Sequence, residues 1–175
     1  MALETATPRS CRALLIIIGL VLAGAAVACS PAASTSAPAP ELQRQADLYA
    51  IEHIEVTFHK ATSSKDIELM MSLWADNATL TVGTQTYTGK DEIRNFWLTK
   101  AAPFQPQNTW VSDTPAYKIV STVDGDKGTL YYECHFIDAA TREVKNVTAQ
   151  NASVARINGG WVITTSLAAA PILSP

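Results

Sequence analysis

The sequence predicts an α+β domain in which helices come first and an antiparallel sheet follows. Three observations lead there. Apolar residues recur at spacings of three and four in the segments 41–63, 66–74 and 89–101, as on one face of a helix. After residue 108 the pattern becomes β, in runs separated by turn signals. The chain has 175 residues and is 47% hydrophobic, enough for one core of ordinary size.

The elements follow in order. In segment 41–63, Ile51, Ile54, Phe58 and Ala61 share a stripe that Leu48 extends by a turn. A second helix covers "DIELMMSLW", with Ser63 or Ser64 as its cap and Asp66 and Glu68 at its positive end. Its apolar side is Ile67, Met70, Met71 and Trp74. "NATLTVGTQTYTG" reads as two short strands around Gly83. Thr88 with Asp91 resembles a capping box that opens a third helix burying Ile93, Phe96 and Trp97. Four strands then succeed one another: "AYKIVSTV", "GTLYYECHFID", "VKNVTAQNASVARI" and "WVITTSLAA". The turns between them are Asp124-Gly125-Asp126, residues 139–143 and Asn158-Gly159-Gly160, which makes a meander.

The N-terminus reads differently. Arg9 and Arg12 precede the apolar run 13–29, which is short for a membrane span but suits an export signal. Ala26-Val27-Ala28 before Cys29 resembles a bacterial lipobox, after which the cysteine thiol carries lipid. Ala-Val-Ala also suits ordinary signal cleavage, which would leave a secreted protein. Residues 30–40 contain only Ser, Pro, Ala and Thr and cannot bury a core. The expected organisation is therefore a signal at 1–28, a linker at 29–40, a folded domain at 41–169 and a tail at 170–175. The expected location is outside the cytoplasmic membrane, on a lipid anchor.

Cleavage would remove Glu4, Arg9 and Arg12, taking 13 basic and 16 acidic residues to 11 and 15, net −4. Without a basic stripe, nucleic acid is not an expected partner. Cys11 would leave with the signal and Cys29 would be lipidated, so Cys134 has no intrachain partner. His53, His59 and His135 are a poor metal set: the first two are six apart on a helix, and no C-x-x-C or H-x-x-x-H spacing exists. Neither a metal nor an organic cofactor is expected.

The segment 65–97 resembles the SnoaL-like branch of the nuclear transport factor 2-like superfamily. The residues that carry this are Asp66, Leu73-Trp74, Ala75-Asp76-Asn77-Ala78-Thr79 and Gly89-Lys90-Asp91-Glu92-Ile93, with "ARINGGWVIT" at the family's end. The resemblance spans residues 45–167. It implies a cone, in which a bent antiparallel sheet wraps the long first helix and the mouth often holds a small apolar ligand. It also implies dimers through the outer sheet face, here Tyr131, Glu133, His135 and Ile137.

Fold alone does not choose a function. Steroid-isomerase-type members use an aspartate base and a tyrosine donor, whose positions fall at Val82 and Phe58. A late acidic donor falls near Ser153. Valine and phenylalanine move no proton, which argues against that chemistry. Other members use His–Asp arrangements, for which the candidates here are His59 or Asp76 with Tyr132, in a cyclase or hydro-lyase. His59 is expected on the surface or the rim, and Asp76 in a turn closing the second helix.

Cys134–His135 suggests a nucleophile and its base, but neighbours on a strand point apart. Leu130, Tyr132, Cys134 and Phe136 should face inward, and His135 outward. The expected lining is thus Phe58, Met70, Trp74, Trp97, Tyr132, Cys134 and Phe136. Such a wall suits a small apolar or aromatic ligand bound without catalysis, and a partner protein is the other expected occupant of a non-catalytic domain. A dimeric interaction module with no ligand is the other alternative.

Overall fold

The computed structural model describes residues 39–173. The expectations for residues 1–38, including the signal, Cys29 and most of the linker, lie outside the described residues. Among the described residues, three α-helices and seven strands follow in the order α1 (Pro40–Ser64), α2 (Ile67–Ser72), β1 (Trp74–Val82), β2 (Gln85–Thr88), α3 (Gly89–Thr99), β3 (Trp110–Asp113), β4 (Ile119–Asp124), β5 (Lys127–Asp138), β6 (Val144–Ile157) and β7 (Gly160–Leu173).

Pro40 opens α1, where a missing backbone N–H costs nothing. Lys65 ends it in the left-handed region, at φ 56°. The Lys65 ammonium then donates to the carbonyls of Pro103 and Asn108, tying down the loop before β3. The predicted stripe Ile51, Ile54, Phe58 and Ala61 is buried as read, and Glu55 and His59 are buried beside it.

The second helix is shorter than its apolar pattern suggests, because Trp74 begins β1 instead. Its cap is Asp66, whose carboxylate accepts from the Leu69 N–H at 2.9 Å. Ser63 and Ser64 do other work: Ser63 Oγ accepts from the Ser112 N–H, and Ser64 donates to the Lys60 carbonyl. The third helix also differs in detail. Thr88 precedes it without a side-chain cap bond, and Glu92 rather than Asp91 reaches back to the Thr88 N–H, at 2.7 Å.

The strands form one sheet in the order β2-β1-β7-β6-β5-β3, with β4 on the first half of β5. All pairs are antiparallel except β1 with β7, which run parallel, so the sheet is mixed. A parallel pair needs a long connection, and here residues 83–159 supply it. Local alternation cannot reveal such a partner. Strand β3 was not separately legible, being only four residues long.

Register shifts at Phe136/Ile137 on β5 and at three points between β6 and β7 mark bulges, which bend strands. Helix α1 lies in the resulting concavity. Ile51, Phe58 and Met70 pack there with Leu130, Tyr132, Val154 and Ile163. Gly128 on β5 permits the closest approach: a Cβ there would sit 2.9 Å from Ile51 Cδ1 and 2.4 Å from the Thr122 carbonyl. At the start of α1, Asp47 pairs with Arg156, whose guanidinium lies 4.8 Å from the centroid of the Trp161 ring.

Candidate functional site

The open end of the concavity holds a hollow of about 260 Å³. Its walls come from distant parts of the chain. Helix α1 supplies Phe58, α3 supplies Phe96 and Trp97, β1 supplies Leu80 and Val82, and β3 and β5 supply Trp110 and Phe136. Residues 101–103 close one side. Phe58 meets Trp97 edge to face at 5.5 Å, and Trp110 lies 6.1 Å from Phe136, so the aromatic rings line the hollow as two groups. On β6, Asn146, Thr148 and Gln150 form a polar strip at alternate positions.

Of the seven side chains expected to line the hollow, Phe58, Trp97 and Phe136 do. Met70, Trp74, Tyr132 and Cys134 lie in the packed core. The alternation on β5 does turn Tyr132, Cys134 and Phe136 inward together. Only Phe136 reaches the open end, because α1 covers the other two, with Phe58 and His59 both edge-on to Tyr132. Sequence reading missed Leu80, Phe96 and Trp110, although Phe96 was read as buried.

Cys134 and His135 do point apart. Cys134 is fully buried opposite Thr148, and burial pushes its thiol well above the ordinary range. His135 sits on the outer face across from Asp113, with Nε2 at 3.6 Å from Glu133. No nucleophile and base meet there. Glu133 also takes Lys118 and the Tyr131 hydroxyl, each at 2.9 Å. These donors, Lys118 first, hold its carboxyl below the usual range against the opposing effect of burial.

His59 is not a rim residue. It is 6% exposed, because its position next to Phe58 turns it toward β3. Its Nε2 lies 3.0 Å from Glu55 Oε1 and 2.6 Å from Thr114 Oγ1, and Nδ1 meets the Ser112 hydroxyl. The Thr114 hydroxyl proton goes to the Glu133 carbonyl, so Thr114 accepts from His59. That places a proton on Nε2 and, in the neutral ring, makes Nδ1 the acceptor from Ser112. Glu55, at i−4, was not singled out in the sequence. Its signal was a carboxylate one turn before a histidine on the buried side of a helix.

This group opens toward a different recess, lined in part by Val56, Lys60 and Ala116, and not toward the aromatic hollow. Both ring nitrogens are engaged. The nearby amides are also engaged: the Ser112 N–H goes to Ser63, and the Thr114 N–H to Asp113. No pair of free donors waits beside Ser112 for a developing oxyanion.

Asp76 lies in β1, not in a turn after the second helix. Its side chain is 94% exposed and pairs with Lys90 at 3.0 Å, while Tyr132 is 1% exposed. His53 is exposed and stacks on Tyr49 at 6.1 Å. Val82 and Phe58 both line the hollow, so the expected base and donor positions hold side chains that transfer no proton. Ser153 instead faces outward, exposed, between the inward-facing Ala152 and Val154.

A helix cradled by a curved mixed sheet, with an apolar hollow at the open end, defines a nuclear transport factor 2-like domain with a cystatin-like fold. The SnoaL-like domain profile matches residues 56–164, and the chain belongs to that family. Solved structures agree on the fold. A Nostoc punctiforme protein of unknown function with a cystatin-like fold is 16% identical over 74% of this chain and 95% of its own, with a TM-score of 0.64. A nuclear transport factor 2-like protein of unknown function from Pseudomonas putida is 14% identical over 73% and 88%, at 0.63. A proposed dehydratase of the same superfamily from Streptomyces avermitilis is 17% identical over 74% and 99%, at 0.59. No curated protein matches the sequence.

Proposed function

We propose that this domain binds a small apolar or aromatic molecule in the hollow and does not transform it. One observation carries the reading. Among the described residues that line the hollow, the sole ionisable side chain is Lys100, which is exposed and donates to the Tyr87 hydroxyl at 3.2 Å. A site that moves protons needs an acid or base within hydrogen-bond reach of the reacting atoms. Aromatic walls around a hollow of this size favour a compact, flat guest, since a cavity of about 150 Å³ already holds benzene.

The enzyme reading, a cyclase or hydro-lyase using His59 or Asp76 with Tyr132, draws its support from the buried Glu55–His59 pair. That pair is turned away from the hollow, and Asp76 is in solvent. A third reading, dimerisation without a ligand, rests on the outer sheet face, where Val120 and Leu167 are exposed near Tyr131. The proposal also places the protein outside the cytoplasmic membrane, tethered through a lipidated Cys29.

Native mass spectrometry of the protein purified from its own host tests the first part and reads subunit number as well. A co-purified small molecule, returned unchanged after incubation, is the expected result. Its conversion to a product sinks the non-catalytic reading. Labelled fatty acid should enter the intact protein and not Cys29→Ala, and equal labelling of both removes the anchor.

A further inference from the structure

The polar strip on β6 is out of place in a hydrocarbon-binding hollow. Farther along the same inner face, where β6 meets the core, the residues are Ala152 and Val154. Where it faces the hollow they are Asn146, Thr148 and Gln150. The change from apolar to polar thus coincides with the change from packed core to open space.

Two buried polar atoms on hollow-lining residues lack a partner: Asn146 Oδ1, an acceptor on β6, and Trp97 Nε1, a donor on α3. Trp97 is 5% exposed. Native proteins leave few such atoms, because each forfeits its hydrogen bond to water and gains nothing in return. Gln150 is oriented from behind, its Oε1 accepting from Ser166 Oγ at 3.1 Å, with both residues buried. What Gln150 retains for a guest is its amide N–H edge. The terminal torsion of Asn146 is soft, so its amide can turn toward a guest at little cost. The strip itself offers both an acceptor and donors, and none of them is charged.

Given the ligand-binding reading above, we infer that the guest is an uncharged molecule of about two fused rings whose one edge carries both a hydrogen-bond donor and an acceptor. A phenol, a lactam or a hydroxy-ketone has that chemistry. Its flat body lies against Phe58, Trp97 and Phe136, and its polar edge runs along β6. A plain hydrocarbon leaves Asn146 unpaired. A carboxylate would be desolvated against these walls with little compensation, because Lys100, the one cation on the lining, is exposed and already donates to the Tyr87 hydroxyl.

Calorimetric titration of the whole protein with naphthalene, 2-naphthol and 2-naphthoate tests this. 2-Naphthol should bind about tenfold more tightly than naphthalene, the size of effect one well-made buried hydrogen bond supplies. 2-Naphthoate should bind more weakly than 2-naphthol. The naphthol-to-naphthalene ratio should fall toward one in Asn146→Leu, which keeps the bulk and removes the acceptor. Should that variant not fold, Thr148→Val removes the neighbouring hydroxyl of the strip at nearly constant volume and should also lower the ratio. Equal affinities for naphthalene and 2-naphthol, or tightest binding of 2-naphthoate, overturn the inference and leave the ligand-binding reading intact. Failure of all three probes to bind removes that reading, and this one with it.

Discussion

Replacing Gly128 by alanine should be among the most costly one-methyl changes in this domain. Gly128 faces α1 from β5, and its φ is not in the left-handed region, so the cost is steric. The added Cβ would stand 2.4 Å from the Thr122 carbonyl oxygen, 2.9 Å from Ile51 Cδ1 and 3.2 Å from Val154 Cγ2. Carbon atoms are comfortable at about 3.5–4.0 Å, so the Ile51 methyl must retreat by more than half an ångström. It is fully buried and has nowhere open to go. The Thr122 carbonyl belongs to β4, which is paired with β5 along its length and cannot yield alone. Overpacking of this kind costs about 1–3 kcal/mol, and three simultaneous clashes put it at the top of that range. With a urea m value of about 2 kcal/mol/M, the unfolding midpoint should drop by about 1.5 M. Gly83→Ala is the control. It has open space around it and φ +60°, so only a left-handed penalty of about 1–2 kcal/mol applies. If Gly128→Ala proves no worse than Gly83→Ala, the close seating of α1 on β5 is wrong.

Other outcomes follow from the same geometry. Glu55→Ala should destabilise the fold by about 1–3 kcal/mol, because it removes a buried hydrogen-bond partner of His59. His53→Ala, exposed on the same helix, should cost under about 0.5 kcal/mol, and equal losses in denaturant would show that the pair is not buried. Cys134 should resist a thiol reagent such as dithionitrobenzoate in the native state and react once the protein is unfolded, since it is inaccessible and its thiol is held protonated. Fast native labelling would contradict its place in the core. Glu133 gives a pH prediction: its folded pKa lies below the ordinary 4.5, so its pairing with Lys118 stabilises fully above that value and is lost as the pH falls through the folded one. Thermal melts from pH 7 to 3 should therefore fall less steeply on the acid side in Glu133→Gln, and identical slopes would refute it.

The hollow was partly legible because β alternation and helix stripes are local. Phe58, Trp97 and Phe136 could be nominated from spacing together with the family resemblance. Tyr132 and Cys134 share the inward face with Phe136, yet α1 covers them, and no local pattern says where along a strand a helix stops covering it. The polar strip on β6 went unread for a related reason. Asn146, Thr148 and Gln150 look like the solvent face of a strand until bulges and partners decide which face is concave. His59 was misjudged because a buried imidazole looks like an exposed one when its carboxylate and hydroxyl partners are 4, 53 and 55 residues away.

The sequence by itself determined the three helices, four of the later strands, the inward set on β5 and the separation of Cys134 from His135. Each depends on periodicity within one element, and hydrophobic burial enforces that periodicity wherever the element packs. Only the tertiary structure decided that β7 runs parallel to β1, that Glu55 and His59 are buried as a pair, and where the cone stays open. Those facts arise from contacts between residues far apart in the chain, and no short stretch of sequence carries the geometry that brings such residues together.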